Sequence, residues 1–190
     1  ELYDYIERIE RHIGRKVTRI KSDKSWDDVF FHKKQTGKNI GQIVAFPMSG
    51  KCEVNRDVKV GAIKKYYKSI EAPFIVYIGI TRNEPDRYAR LKENERAPLY
   101  DWDITEDFVI AELKRRGLHN PLYDTFDRLG CYTCPNMNFK ELRLMRKRYP
   151  AEWAKLMWYG EQAEKHATSR RFAEFKPGWT VAELEKRFQM

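Results

Sequence analysis

The sequence has 190 residues, 42% apolar and 14% aromatic, a balance that suits a globular chain with a real core and excludes a disordered one. Lys and Arg number 37 against 28 Asp and Glu, a net charge of +9 that favours anionic partners such as nucleotides or nucleic acid and serves solubility equally well. No apolar run is long enough to span a bilayer, Glu1-Leu2-Tyr3-Asp4-Tyr5 lacks the pattern of a signal peptide, and three cysteines are too few for a disulfide scaffold, so a cytoplasmic protein with free or metal-bound thiols is expected.

In chain order, Leu2, Ile6, Ile9 and Ile13 fall on one face of an amphipathic helix over 1–14 that Gly14 closes. Residues 16–20 read as a short strand, 26–34 as a short helix, and 42–46 as a strand or buried turn ahead of Pro47. The segment 55–69 reads as a helix with Val58, Ala62, Ile63 and Tyr66 inward and Lys59, Lys64, Lys65 and Lys68 outward; Cys52 lies near its start, where free N–H groups favour a thiolate.

Residues 74–80 carry the clearest strand pattern, a near-continuous apolar run that suits a parallel sheet covered on both faces. Arg82 and Arg87 follow directly, and loops beyond the carboxyl ends of parallel strands are where open sheets bind ligands. As planar forks, arginines there suit phosphate or carboxylate; the plainer reading is surface ion pairing. Thr105 caps a helix that Gly117 stops, and Asn138 with Glu141 forms a capping box for a helix to Tyr149. A further helix follows Pro150, and Thr180 with Glu183 caps a last one.

Two of the three cysteines occupy Gly130-Cys131-Tyr132-Thr133-Cys134-Pro135, where the C-x-x-C step places two sulfurs about one turn apart in a tight loop. A redox dithiol leaves Cys52 unexplained, and a structural zinc wants four ligands where the chain offers three sulfurs. None of the four histidines stands at a ligand spacing beside a cysteine. An iron–sulfur cluster on three thiolates and three unrelated thiols both remain consistent with the spacing.

Five stretches in register resemble the phosphoadenosine phosphosulfate (PAPS) reductase family. Lys51-Cys52 followed by Arg56 and Lys59-Val60 resembles its C-x-x-x-x-K-x-x-P region, and Gly79-Ile80-Thr81-Arg82 through Glu84 and Arg87 its G-I-R-x-x-E-x-x-R segment. Pro98-Leu99-Tyr100-Asp101-Trp102 resembles its P-L-x-x-W stretch, while Asn120-Pro121-Leu122-Tyr123 and Arg128-Leu129-Gly130-Cys131 through Cys134 match N-P-L-Y and R-x-G-C-x-x-C. The resemblance implies an α/β fold of the adenine-nucleotide α-hydrolase-like kind, a partial parallel sheet with helices on both faces, over 1–135, and a helical region over 136–190.

It implies further that Cys52, Cys131 and Cys134 hold an iron–sulfur cluster, with zinc as the alternative. Arg82, Arg87, Arg128 and, more weakly, Lys59 would bind the phosphate or sulfate of an adenine nucleotide. Sulfur transfer or nucleotide activation would be the activity. The family's phosphate loop, S-G-G-K-D-S, is absent, and residues 1–14 resemble the helix after the family's second strand. That loop is therefore expected on a partner chain or on a longer protein, or the nucleotide site is degenerate. No cysteine follows Cys134, which argues against reduction of sulfonate by a C-terminal thiol. A different class of function is a metal-stabilised subunit that binds DNA or tRNA without catalysis, through Arg143, Arg146, Lys147, Arg148, Arg170 and Arg171. The aromatics Trp153, Trp158 and Tyr159 would stack on bases there, although at helical spacing such residues more often belong to the core.

Overall fold

The computed structural model describes residues 2–47, 52–127 and 129–189. Its elements are mostly helices with a small parallel sheet, a mixed α/β content. The contacts divide the chain into two compact units, one of Glu1–Arg19 with Tyr67–Pro121 and one of Ile20–Tyr66 with Leu122–Met190.

In the first unit, α1 (Leu2–Ile13) ends at Gly14, whose φ of +66° is the left-handed conformation that terminates helices. The strand expected over 16–20 does not form. The Val17 N–H is taken by the buried carboxylate of Glu10 at 2.9 Å, and Val17 and Ile20 are exposed, so the segment has neither a ladder nor a covered face. Lys16 completes the pairing of Glu10 at 2.9 Å and, by that hydrogen bond first, holds its carboxyl below the usual range.

The apolar run 74–80 forms a strand only at β1 (Val76–Tyr77), paired in parallel with β2 (Glu95–Arg96). Val76 N–H donates to Asn94 and Ile78 N–H to Arg96, at 2.9 and 2.8 Å. Burial alternates along it: Ile80 is buried, while Ile75 and Tyr77 are 52% and 69% exposed, so coverage of both faces is not observed here. Each strand runs into a short helix opened by proline, α4 (Pro85–Tyr88) after β1 and α5 (Pro98–Asp101) after β2. α6 (Glu106–Arg115) starts as expected, with Thr105 Oγ1 accepting the Phe108 N–H.

The second unit holds the main core. α2 spans only Trp26–Phe30, shorter than the pattern suggests, because the backbone beyond it turns into a hairpin. Val44 N–H donates to His32 and Lys34 N–H to Gln42, both at 2.9 Å, which commits 31–34 to a ladder instead of a helix. Val54–Val60 forms a π-helix that continues as α3 (Gly61–Lys68). After a 3₁₀ turn at Pro121–Asp124 come α7 (Phe139–Arg148), α8 (Pro150–His166), α9 (Arg170–Ala173) and α10 (Val181–Gln189).

α8 is the axis of this unit, packing against α7, α9 and α10. Leu156 and Ala163 of α8, Leu142 of α7 and Val181 and Leu184 of α10 are fully buried, and the hairpin adds Phe30, Ile43 and Phe46. Among the described residues no helix is long and apolar enough to cross a membrane.

Candidate functional site

All three cysteines belong to the second unit, although 79 residues separate Cys52 from Cys131. Cys131 and Cys134 close a turn in which Cys134 N–H donates to the Cys131 carbonyl at 2.9 Å. A second turn follows, with Met137 N–H on the Cys134 carbonyl at 3.1 Å. Thr133 and Pro135 are buried and both cysteines half-buried, so the turn is seated against the core with its sulfurs near the surface.

Side-chain hydrogen bonds fix this turn from both sides of it in the sequence. Glu141, only 2% exposed, accepts the N–H of Asp127 at 3.0 Å and that of Asn138 at 2.9 Å, tying the chain before the cysteines to the helix start after them. Lys176 donates to the carbonyls of Pro135 and Met137 at 2.5 and 2.6 Å. Burial pushes the pKa of its ammonium down, and the neighbouring Cys134 and Glu141 act the other way. On the opposite flank Tyr132 hydrogen-bonds with Tyr159, which donates to Asp27 at the start of α2. Burial is the largest cause that raises the pKa of both phenols, so both stay neutral.

Cys52 is exposed at the entrance to the π-helix, and its Sγ accepts the Asn55 N–H at 3.3 Å. Among the described residues no three His, Cys, Asp or Glu side chains form a group that could hold a metal ion. The donor chemistry thus fits a soft metal at the C-x-x-C turn, while Cys52 does not converge on that pair here.

The arginines expected to bind phosphate fall elsewhere. Arg82 and Arg87 lie in the first unit, just beyond the carboxyl end of β1, and Lys59 is exposed on the π-helix of the second. Arg82 pairs with Asp103 at 2.9 Å and lies 4.9 Å from the centre of the Tyr100 ring. Tyr100 stacks on Tyr88 at 3.8 Å, and the Tyr88 hydroxyl donates to Asp101 at 2.6 Å. Arg87 pairs with Glu84, whose carboxyl is thereby held below the usual range. The carboxyl ends of both strands therefore carry one cluster of guanidinium groups and stacked rings. Arg128, the remaining arginine of the expected set, lies outside the described residues, as does Lys51.

Of the basic run proposed for nucleic acid, Arg146 is held by Glu185 at 2.7 Å and Arg170 by Glu183 at 2.8 Å. Trp153 and Tyr159 are buried in the core; Trp158 is 46% exposed.

Glu141 was visible in the sequence as half of a capping box, but its bond to Asp127 was not. Lys176, Tyr159 and Asp27 carry no local signal of their role, since each reaches the turn from another part of the chain. The pairing of Tyr88 with Tyr100 follows only once β1 and β2 are side by side.

No family model and no solved structure matches the chain. It is similar to an uncharacterized protein of Methanocaldococcus jannaschii, 26% identical over 176 residues, an alignment covering 85% of this chain and 34% of that protein. The chain thus spans about a third of that relative's length.

Proposed function

We propose that the chain is the cysteine-bearing part of a PAPS reductase-like iron–sulfur protein, with an adenine-nucleotide α-hydrolase-like fold, acting in sulfur transfer or adenine-nucleotide activation. The observation that carries the reading is the C-x-x-C turn, seated on the core with both cysteines half-buried, in the compact unit that also holds Cys52. The turn is clamped by Glu141, Lys176 and Tyr132, and Cys52 accepts an N–H on its sulfur. Cys52, Cys131 and Cys134 would supply the thiolates. A cluster on such ligands supplies electron transfer or a coordination position for substrate sulfur.

The remaining roles belong to the chain's own side chains. Lys176 would hold the turn's carbonyls and place a cation beside Cys134, balancing thiolate charge. In the first unit Arg82 and Arg87 would take the phosphate of an adenine nucleotide in exchange for the carboxylates of Asp103 and Glu84, and Tyr88 and Tyr100 present a ring face to a base. The missing phosphate loop would come from a partner chain or from another part of a longer protein.

Anaerobic purification with iron and labile-sulfide analysis, beside a Cys52→Ala variant, tests the reading. Iron and sulfide together in the wild type, and their loss in the variant, are expected. Zinc without sulfide would replace the cluster by a structural metal; neither metal in the wild type would refute the site.

A further inference from the structure

The net charge of +9 is unevenly shared. The first unit holds as many Lys and Arg as Asp and Glu, so the whole excess belongs to the second. Within the second unit no acidic residue occurs between Asp28 and Glu53, and none between Glu164 and Glu174. The first of these stretches carries Lys33, Lys34 and Lys38, the second Arg170 and Arg171.

The fold brings the two stretches together. Backbone hydrogen bonds pair 30–34 with 42–45 as a hairpin, whose loop holds Gly37 and Gly41 at φ of +84° and +81°. Gln42 is 1% exposed, and its side-chain oxygen accepts the N–H and the hydroxyl of Thr168 at 2.9 Å each. That buried amide pins the segment between α8 and α9 to the hairpin. Lys34 lies 5.0 Å from the centre of the Phe172 ring of α9. Phe31 packs edge-on against Trp158 and His166 of α8, with ring centres 5.9 and 6.4 Å apart.

Existing partners decide which cations remain available. Arg170 is held by Glu183, and Lys34 rests on the Phe172 ring. Lys33, Lys38 and Arg171 are exposed, and their side chains have no ion pair or hydrogen bond among the described residues. The acidic residues of α2 are occupied, Asp27 by the Tyr159 hydroxyl and Asp28 by the Ser25 cap. At about 100° per residue, Glu161 and Glu164 fall about 60° and 120° beyond Trp158, on the side away from His166.

Cations without carboxylate partners favour a polyanion, and Trp158 decides which kind. Its ring is 46% exposed, and it is braced by Phe31 and by Tyr159, whose ring centre is 4.9 Å away. A fixed aromatic ring open to solvent is a platform for the face of a base. Bases inside a duplex have both faces covered by their neighbours, so the platform suits a single strand.

We propose that this face binds single-stranded nucleic acid, with phosphates on Lys33, Lys38 and Arg171 and a base stacked on Trp158. It uses none of the residues assigned to the cluster or to the adenine nucleotide, and stands or falls without them. It is also distinct from the basic run of α7, where Glu185 holds Arg146 and Arg143 lies against the Phe188 ring.

The test is fluorescence anisotropy of the full chain with labelled oligothymidylate and oligouridylate of roughly 12 nucleotides, beside a DNA duplex of equal length. Saturable binding of a single strand at low salt is expected, with the duplex at least fivefold weaker. Three phosphate contacts on a single strand predict a slope of about −2 for log affinity against log salt. Lys33→Ala with Lys38→Ala should weaken binding about tenfold and flatten that slope to about −0.7. Trp158→Ala should weaken it about tenfold with the slope unchanged, and Trp158→Phe should recover most of the loss. Arg143→Ala with Lys147→Ala should stay within twofold of the wild type. Unchanged urea midpoints show that the variants fold, and the stronger of the two strands identifies the sugar. No binding of either strand at low salt, a duplex bound as tightly, or binding unchanged in both the lysine and the Trp158→Ala variants would overturn the proposal.

Discussion

Gly160 of α8 sets how closely α10 approaches, and replacing it by alanine should separate the two helices. In an open helix Gly→Ala would stabilise by about 0.5–1 kcal/mol, through the lost freedom of glycine in the unfolded chain. Here a Cβ at position 160 would stand 2.6 Å from Val181 Cβ and 2.9 Å from its Cγ2. Carbon atoms pack best at about 3.5–4.0 Å, so the shortfall is on the order of 1 Å. Val181 is fully buried, and its Cβ is fixed by the backbone whatever its rotamer, so α10 itself must move.

Overpacking of this kind costs about 1–3 kcal/mol, which outweighs the helix gain and leaves a net loss of about 1–2 kcal/mol. Urea unfolding followed by tryptophan fluorescence should show a lower midpoint with an unchanged slope. Adding Val181→Ala should restore little, since the closest atom, Cβ, remains. Adding Val181→Gly should relieve the contact and reveal a favourable coupling between the sites. A Gly160→Ala protein as stable as the wild type would refute the close approach of α8 and α10.

Further expectations concern the same unit. Glu185 accepts from Arg146 and Trp153 at 2.7 Å each, and the Arg146 hydrogen bond first holds its pKa down to about 2. A carboxyl depressed on folding stabilises above its unfolded pKa and loses that contribution as pH falls toward the folded value. Glu185→Gln should therefore cost about 2 kcal/mol at pH ~7 and well under 1 kcal/mol near pH ~2, where the carboxyl is half protonated, read from urea midpoints across that range. Glu141→Ala leaves the Asp127 and Asn138 N–H groups without their acceptor and should destabilise by about 2–3 kcal/mol, measured by thermal or urea unfolding. Lys176→Met deprives the Pro135 and Met137 carbonyls of their donor; faster hydrogen exchange at the Cys134 and Met137 amides is expected, and unchanged protection would show that the turn holds itself.

Local chemistry made much of the helical framework legible. The caps at Thr105, Asn138 and Thr180 act as their side chains require, because a cap is a contact across three residues and needs nothing from the rest of the fold. The same locality explains the closure of α1 at Gly14 and the C-x-x-C turn between Gly130 and Pro135. Strand content was less legible. Residues 16–20 have the composition of a strand, yet a ladder needs a partner, and the Glu10 carboxylate reaches Val17 first. The run 74–80 finds its partner in Glu95–Arg96, two charged residues whose sequence carries no strand pattern.

The sequence by itself determined which residues could do chemistry: three thiols, two of them at a two-sulfur spacing, and arginines just past an apolar strand. Tertiary structure decided their company. It put the cysteines in one unit and Arg82 and Arg87 in the other, closed the latter onto Asp103 and Glu84, and buried Trp153 and Tyr159, the role that helical spacing favours for them over stacking on bases. It also brought Lys176 and Glu141 to the cysteine turn. The reason is physical: residue type and short spacing set what a side chain can donate, accept or ligate, whereas its partner is set by packing between segments far apart in the chain.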